Sequence, residues 1–177
     1  MIWPVPNSFS KTFPRKGNPG SFWLNRGDRF HCGVDIYSPA LSEIVAPVNC
    51  EVIKTGVFTS KDLVYYWNKT HYVDLKMDYD LYLRLAEMDN MVVKVGDDIK
   101  PGDIVGYVGT VLNKNMINDK SPDYIKDLKS NSNFSMLHFE LYDKEPIDIS
   151  NKYYLGGNWF LKSMPKGILD PEKYFKK

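Results

Sequence analysis

The chain has 177 residues, enough for one domain with its own core. Its 43% hydrophobic and 25% charged content places it with ordinary globular chains rather than disordered or membrane ones. With 23 basic and 22 acidic residues the net charge is +1, which removes the electrostatic case for a nucleic acid or an anionic membrane surface as partner.

Residues 1–28 are rich in Pro, Gly and aromatic side chains and read as an irregular arm laid across a core. They lack the basic region and apolar stretch of a signal peptide, so the sequence as written reads as cytoplasmic. An extracellular or cell-envelope location is the alternative if an export signal has been removed.

"RFHCGVDIY" (29–37) then alternates. Phe30, Cys32, Val34 and Ile36 fall on one parity, and Arg29, His31, Gly33, Asp35 and Tyr37 on the other, the pattern of a half-buried strand. "EIVAPVNCEVIKTGVF" (43–58) is a β-rich run with Pro47 and Asn49 marking a turn between two strands. "SKDLVYYWNKT" (60–70) is open between loop and short helix. "HYVDLKM" and "DLYLRLAEM" read as antiparallel neighbours joined at "DYD", the second alternating through Leu81, Leu83 and Leu85. In 92–111, glycines at 96, 102, 106 and 109 stand between β-branched pairs, the punctuation of tight turns.

Residues 112–134 are polar and break the β rhythm. Ser121 followed by Pro122 is a helix start, so one short helix is expected at about 122–130. "SMLHFELYD" (135–143) restores alternation, with Leu137, Phe139 and Leu141 on one face and Met136, His138, Glu140 and Tyr142 on the other. The tail, 144–177, is aromatic and turn-rich and reads as a cover. Cys32 and Cys50 both sit in strand-like runs, where buried free thiols compete with a disulfide. The expected fold is a mainly β, single-domain antiparallel sandwich or open barrel with a groove.

The chemistry gathers around histidine. His31 and Asp35 share a face, but four residues of flat strand separate them by about 13 Å, too far for one metal. Gly33 between them is where the strand could bulge and tip the two side chains together. His138, on the polar parity of a strongly alternating strand, is the natural third member. Two imidazoles and a carboxylate form a set that zinc accepts with a fourth position left for water. The bland alternative is three satisfied polar residues.

"HCGVD" resembles the His-x-Gly-x-Asp signature of the lysostaphin/LytM-type zinc metalloendopeptidases, which cleave peptide cross-links of bacterial cell walls. "EIVAPVNCEVIKTG" is similar to that family's following hairpin, "VGDDIKPGDIVGYVG" to its Gly-Asp-x-Val-x-x-Gly turn region, and "MLHFELYD" to its His-Leu-His-Phe-Glu strand. Four blocks in the family's order span most of 29–143. The resemblance implies zinc held by His31, Asp35 and His138, a peptide or peptidoglycan-like ligand, and hydrolase activity.

It also implies a departure. In the family, a histidine two residues before the last ligand and another in a Tyr-x-His-Leu strand serve the attacking water and the transition state. The residues matched to them are Met136 and Arg84. Methionine cannot take a proton, and arginine stays protonated, so Arg84, with Tyr82 beside it, is expected at most to stabilise an oxyanion. An Arg84 guanidinium at an open zinc would favour an anionic occupant. Glu140 is read as orienting a ligand or, alternatively, as a base; His71 as a surface or hydrogen-bonded histidine; Cys32 as facing away from the metal. The insert at 112–134 is expected to fold over one rim of the groove.

Two functions follow: peptide-bond hydrolysis by a zinc-binding homologue whose activity is weak or lost, and zinc-containing recognition of a peptide or partner without turnover. A carrier-type β-sandwich ranks last, because the glycine-rich region lacks an exposed lysine between turn residues.

Overall fold

The computed structural model describes residues 1–130 and 134–175. The strands in chain order are β1 (Phe30–His31), β2 (Val34–Tyr37), β3 (Glu43–Val45), β4 (Cys50–Thr59), β5 (Thr70–Met77), β6 (Tyr82–Met91), β7 (Asp98–Ile99) and β8 (Ile104–Val108). Helix α1 (Asp123–Ser130) precedes β9 (Met136–Tyr142), β10 (Tyr154–Leu155), β11 (Asn158–Trp159), β12 (Ile168–Leu169) and the single-turn α2 (Pro171–Tyr174). All strand pairings are antiparallel. The main sheet runs β12-β9-β6-β5-β4-β7, with β2 on β9 and β8 bridging β3 and β6, and does not close into a barrel. A small second sheet has the order β1-β11-β10.

The alternation read in the sequence becomes two packed faces. One carries Val34, Ile36, Val73, Leu75, Leu83, Leu85, Leu137, Phe139 and Leu141 into the main apolar core. The N-terminal arm covers this core with Val5, Trp3 and Phe13. The opposite face of β9 was expected to be polar, and its residue types are, yet all seven residues of β9 are buried. The small sheet and the tail lie over it, with Tyr154, Trp159 and Cys32 in a second cluster around Tyr72, Ala86 and Tyr142. The tail therefore does more than cover: it supplies β10 and β11. Cys32 and Cys50 are both free and buried.

Expected β5 and β6 pair antiparallel across a turn at 78–80, and α1 begins one residue after the expected start. Residues 131–133 of the expected insert and 176–177 of the tail lie outside the described residues. The single-turn α2, capped by the Asp170 side chain accepting from Glu172 N–H, was not foreseen; four residues carry no readable period.

Candidate metal centre

The strand expected over 29–37 is broken. β1 ends at His31 and joins the small sheet, while β2 starts at Val34 and pairs with β9, so Cys32 and Gly33 carry the chain from one sheet to the other. Gly33 is required there: a Cβ on it would lie 2.5 Å from the Phe139 carbonyl oxygen and 3.0 Å from His138 Cε1. The bend folds His31 back toward Asp35, and β2–β9 pairing sets Asp35 directly opposite His138.

Three donor atoms meet in a nearly equilateral triangle. His31 Nε2 lies 3.0 Å from His138 Nδ1, His31 Nε2 lies 3.1 Å from Asp35 Oδ1, and His138 Nδ1 lies 3.1 Å from Asp35 Oδ1. A tetrahedral zinc with bonds of 2.0–2.1 Å separates its ligands by about 3.3 Å. The triangle is therefore of the size a small divalent cation closes. The three residues form the group of candidate metal donors found among the described residues, and all are buried.

The far side of each ring fixes its tautomer. His31 Nδ1 sits 2.9 Å from the Ser21 carbonyl, to which it can only donate, leaving Nε2 a lone pair toward the triangle. His138 Nε2 donates to Glu140 Oε1 at 2.8 Å, leaving Nδ1 free in the same way. Gly157, at φ +73°, lets the β10–β11 hairpin lie against the His138 ring, where a Cβ would come within 2.5 Å.

The electrostatics ask for positive charge at this point. Burial opposes charging of His138, but hydrogen bonds to Asp35 and Glu140 hold it up at about 10. A divalent cation bound at Nδ1 would take the place of that proton. Burial and the nearby Arg26 push His31 down to about 4, the neutral form a ligand needs. Burial resists ionisation of Glu140, yet the His138 hydrogen bond and the charges of His138 and Arg84 bring it down to about 2.

Arg84 and Tyr82, expected beside the metal, are placed elsewhere. Arg84 is fully buried behind the centre: Nε and Nη2 donate to Asp74 at 2.7 and 2.8 Å, Nη1 donates to the Tyr154 hydroxyl at 3.2 Å, and Nη1 is 3.6 Å from Glu140 Oε2. Strand register explains this. Ala86 is the β6 residue opposite His138, Arg84 is opposite Glu140, and Tyr82 is opposite Tyr142. Tyr82 thus stands about 13 Å along the strand from the His138 rung. The expectation of an anionic occupant drawn to Arg84 loses its basis. The guanidinium beside the centre is that of Arg26, which donates to Asp35 Oδ2 at 3.2 Å and to Asn158 Oδ1 at 3.0 Å.

Sequence reasoning missed Glu87. It falls on the parity of Leu83 and Leu85, where an apolar side chain belongs, and that mismatch was the available signal. The structure resolves it with a bulge. Glu87 takes φ +65°, the β5–β6 register shifts there, and Met88 rather than residue 87 continues into the core. Glu87 instead lines a cavity of about 40 Å³ together with Arg26, Asp35, Met136 and His138. Glu87, three residues beyond Arg84 on β6, thus stands at the cavity where Arg84 was expected. Met136 does line the cavity, as expected. Helix α1 closes it from outside with Tyr124, Ile125 and Leu128, and the Tyr124 ring lies 5.0 Å from the Arg26 guanidinium carbon. His71 is remote, its Nδ1 2.9 Å from the Asp89 carbonyl.

The fold is thus an antiparallel β-protein carrying a buried two-histidine, one-carboxylate set whose spacing could hold a metal ion. The description of Peptidase family M23 matches residues 29–149, and the chain belongs to that family. None of the curated proteins compared matches the chain.

Among solved structures, the chain is similar to the catalytic domain of a prophage-encoded M23 protein, EnpA, from Enterococcus faecalis, solved as a point variant. Identity is 20%, coverage is 99% of this chain and 95% of that one, and the TM-score is 0.51. It is similar to LytU at 20% identity, covering 98% and 88%, with a TM-score of 0.51. It also resembles the catalytic domain of the antimicrobial peptidase lysostaphin from Staphylococcus simulans at 16% identity, covering 97% and 91%, with a TM-score of 0.50. These similarities support the fold.

Proposed function

We propose that the chain is a zinc-binding M23 homologue that hydrolyses peptide bonds, of the cell-wall class its resemblance implies, at a rate well below that of a site with two catalytic histidines. The observation that carries this is the triangle of His31 Nε2, Asp35 Oδ1 and His138 Nδ1 at 3.0–3.1 Å, each imidazole backed by an acceptor on its far nitrogen. When bound, zinc supplies Lewis acidity toward a carbonyl and lowers the pKa of water to about 7.

The residues around it supply less. Met136 offers no proton-transfer group where the resemblance implies a second histidine, and one positioned proton-transfer group typically contributes a factor of about 10² to 10⁴ to a rate. Arg26 is held by Asp35 and Asn158, so it orients a ligand carboxylate before it orients a substrate.

A second reading, zinc-containing recognition of a peptide or partner without turnover, is supported by access. A cavity of about 40 Å³ has room for a few waters and none for a peptide unless Tyr124, Ile125 and Leu128 withdraw.

The test is metal content after gel filtration, expected at about one zinc per chain and lost in His138→Ala, followed by hydrolysis of pentaglycine. A Glu87→His, Met136→His double variant is expected to outrun the native chain. Native turnover as fast as that of the double variant would overturn the attenuated-enzyme reading, and an absence of zinc would overturn both readings.

A further inference from the structure

Glu87 combines burial, an unpartnered oxygen and a left-handed backbone. It is 8% exposed, and its Oε2 is the buried side-chain oxygen that has no hydrogen-bond partner among the described residues. Its backbone sits in the left-handed region that non-glycine residues avoid. A carboxylate with an unused acceptor and a strained backbone works against stability, and such residues concentrate where chemistry needs them.

Its position narrows the role. Glu87 lines the cavity that Asp35 and His138 also line, yet it stands outside the group of donor atoms lying within 4.8 Å of one another. It therefore faces the centre without belonging to the ligand set. Three of its neighbours in the cavity are unsuited to accepting a proton: Arg26 is bound to Asp35, Asn158 accepts from Arg26, and Met136 has no proton-transfer group.

We propose that Glu87 is the proton acceptor of this site. The inference rests on the peptidase reading above. Its Oε2 takes a proton from the attacking water as that water's oxygen bonds to the peptide carbonyl carbon. The C–N bond then breaks with its electron pair left on nitrogen, and Glu87 returns the proton to that amine. A carboxylate thus does in this chain what an imidazole does in its relatives, and Met136 marks a function given up rather than moved.

Two variants separate this role from the alternatives. Glu87→Gln is expected to hold zinc within about threefold of native affinity, measured by competition with a chromophoric chelator, while pentaglycine hydrolysis falls about 100-fold or more. Glu87→Met, measured on the full chain stripped of zinc, is expected to melt about 2 to 4 °C higher, because a buried carboxyl group with an unpartnered oxygen disappears. A tenfold loss of zinc affinity in Glu87→Gln would make it a ligand and overturn the proposal. So would a lower melting temperature in Glu87→Met, which would mark a structural role. Zinc-loaded native protein that hydrolyses no faster than Glu87→Gln also overturns it while leaving the metal site standing, whereas native protein without zinc fails at the earlier step.

Discussion

His138 is fastened at both ring nitrogens: Nδ1 faces Asp35 at 3.1 Å and Nε2 donates to Glu140 at 2.8 Å. Glu140 is held in turn by the hydroxyls of Tyr142 and Tyr154. Glu140→Gln can turn an amide N–H toward Nε2 and favour the wrong tautomer. We expect it to weaken zinc binding by about 10- to 100-fold, read by chelator competition, with the fold retained. Unchanged affinity would show that the imidazole is oriented by Asp35 alone.

Arg84 lies opposite both Asp74 and Glu140 in register. Arg84→Met leaves those two carboxylates buried without their shared cation, and a broken buried pair costs about 3 to 5 kcal/mol. Urea unfolding measures this. Arg84→His is expected to be similarly destabilised and to gain no hydrolysis, since the position does not open on the cavity.

Gly33→Ala drives a methyl group into the Phe139 carbonyl and toward His138 Cε1. Overpacking of this kind costs about 1 to 3 kcal/mol. Here the displaced atoms carry the ligands, so zinc stoichiometry should drop along with the melting temperature. Full zinc content in the variant would mean that the crossing between sheets tolerates a side chain.

Tyr124 seals the cavity through its ring over Arg26. Tyr124→Ala removes a contact worth about 0.5 to 2 kcal/mol and opens the outer wall. Zinc loss to an excess of chelator is expected to accelerate with little change in equilibrium affinity. If the rate holds, α1 does not control access.

The Glu87 carboxyl is raised to about 8, by burial first and by Asp35 second, with His138 and Arg26 pulling the other way. Its folded pKa exceeds the ordinary glutamate value near 4.5, so its contribution to stability is full below about 4.5 and disappears as pH rises through about 8. In zinc-stripped protein, Glu87→Gln lacks this dependence, and its stability relative to native should therefore be greater at pH 8 than at pH 5. Thermal melts at the two values test the sign.

Much of the molecule was legible along the chain. Period-two alternation marked β6 and β9, the "DYD" turn joined β5 to β6, and Ser121-Pro122 located α1 to within a residue. His31, Asp35 and His138 were legible because alternation put two of them on one parity around a glycine. Arg84 misled because Tyr82 and Leu85 preserve the letters of a motif, while strand register sets Arg84 opposite Glu140 and away from His138. Glu87 was passed over because it broke the very alternation used to read the strand.

Local pattern alone determined that this chain makes antiparallel sheet with an apolar face, since alternation and turn chemistry act over a few residues. Only the folded chain decided that the polar face is buried as well, that Gly33 turns one expected strand into members of two sheets, and that a bulge aims a glutamate where a histidine was sought. Those outcomes depend on contacts between residues as far apart as 31 and 138, and no spacing along the chain encodes a distance through space.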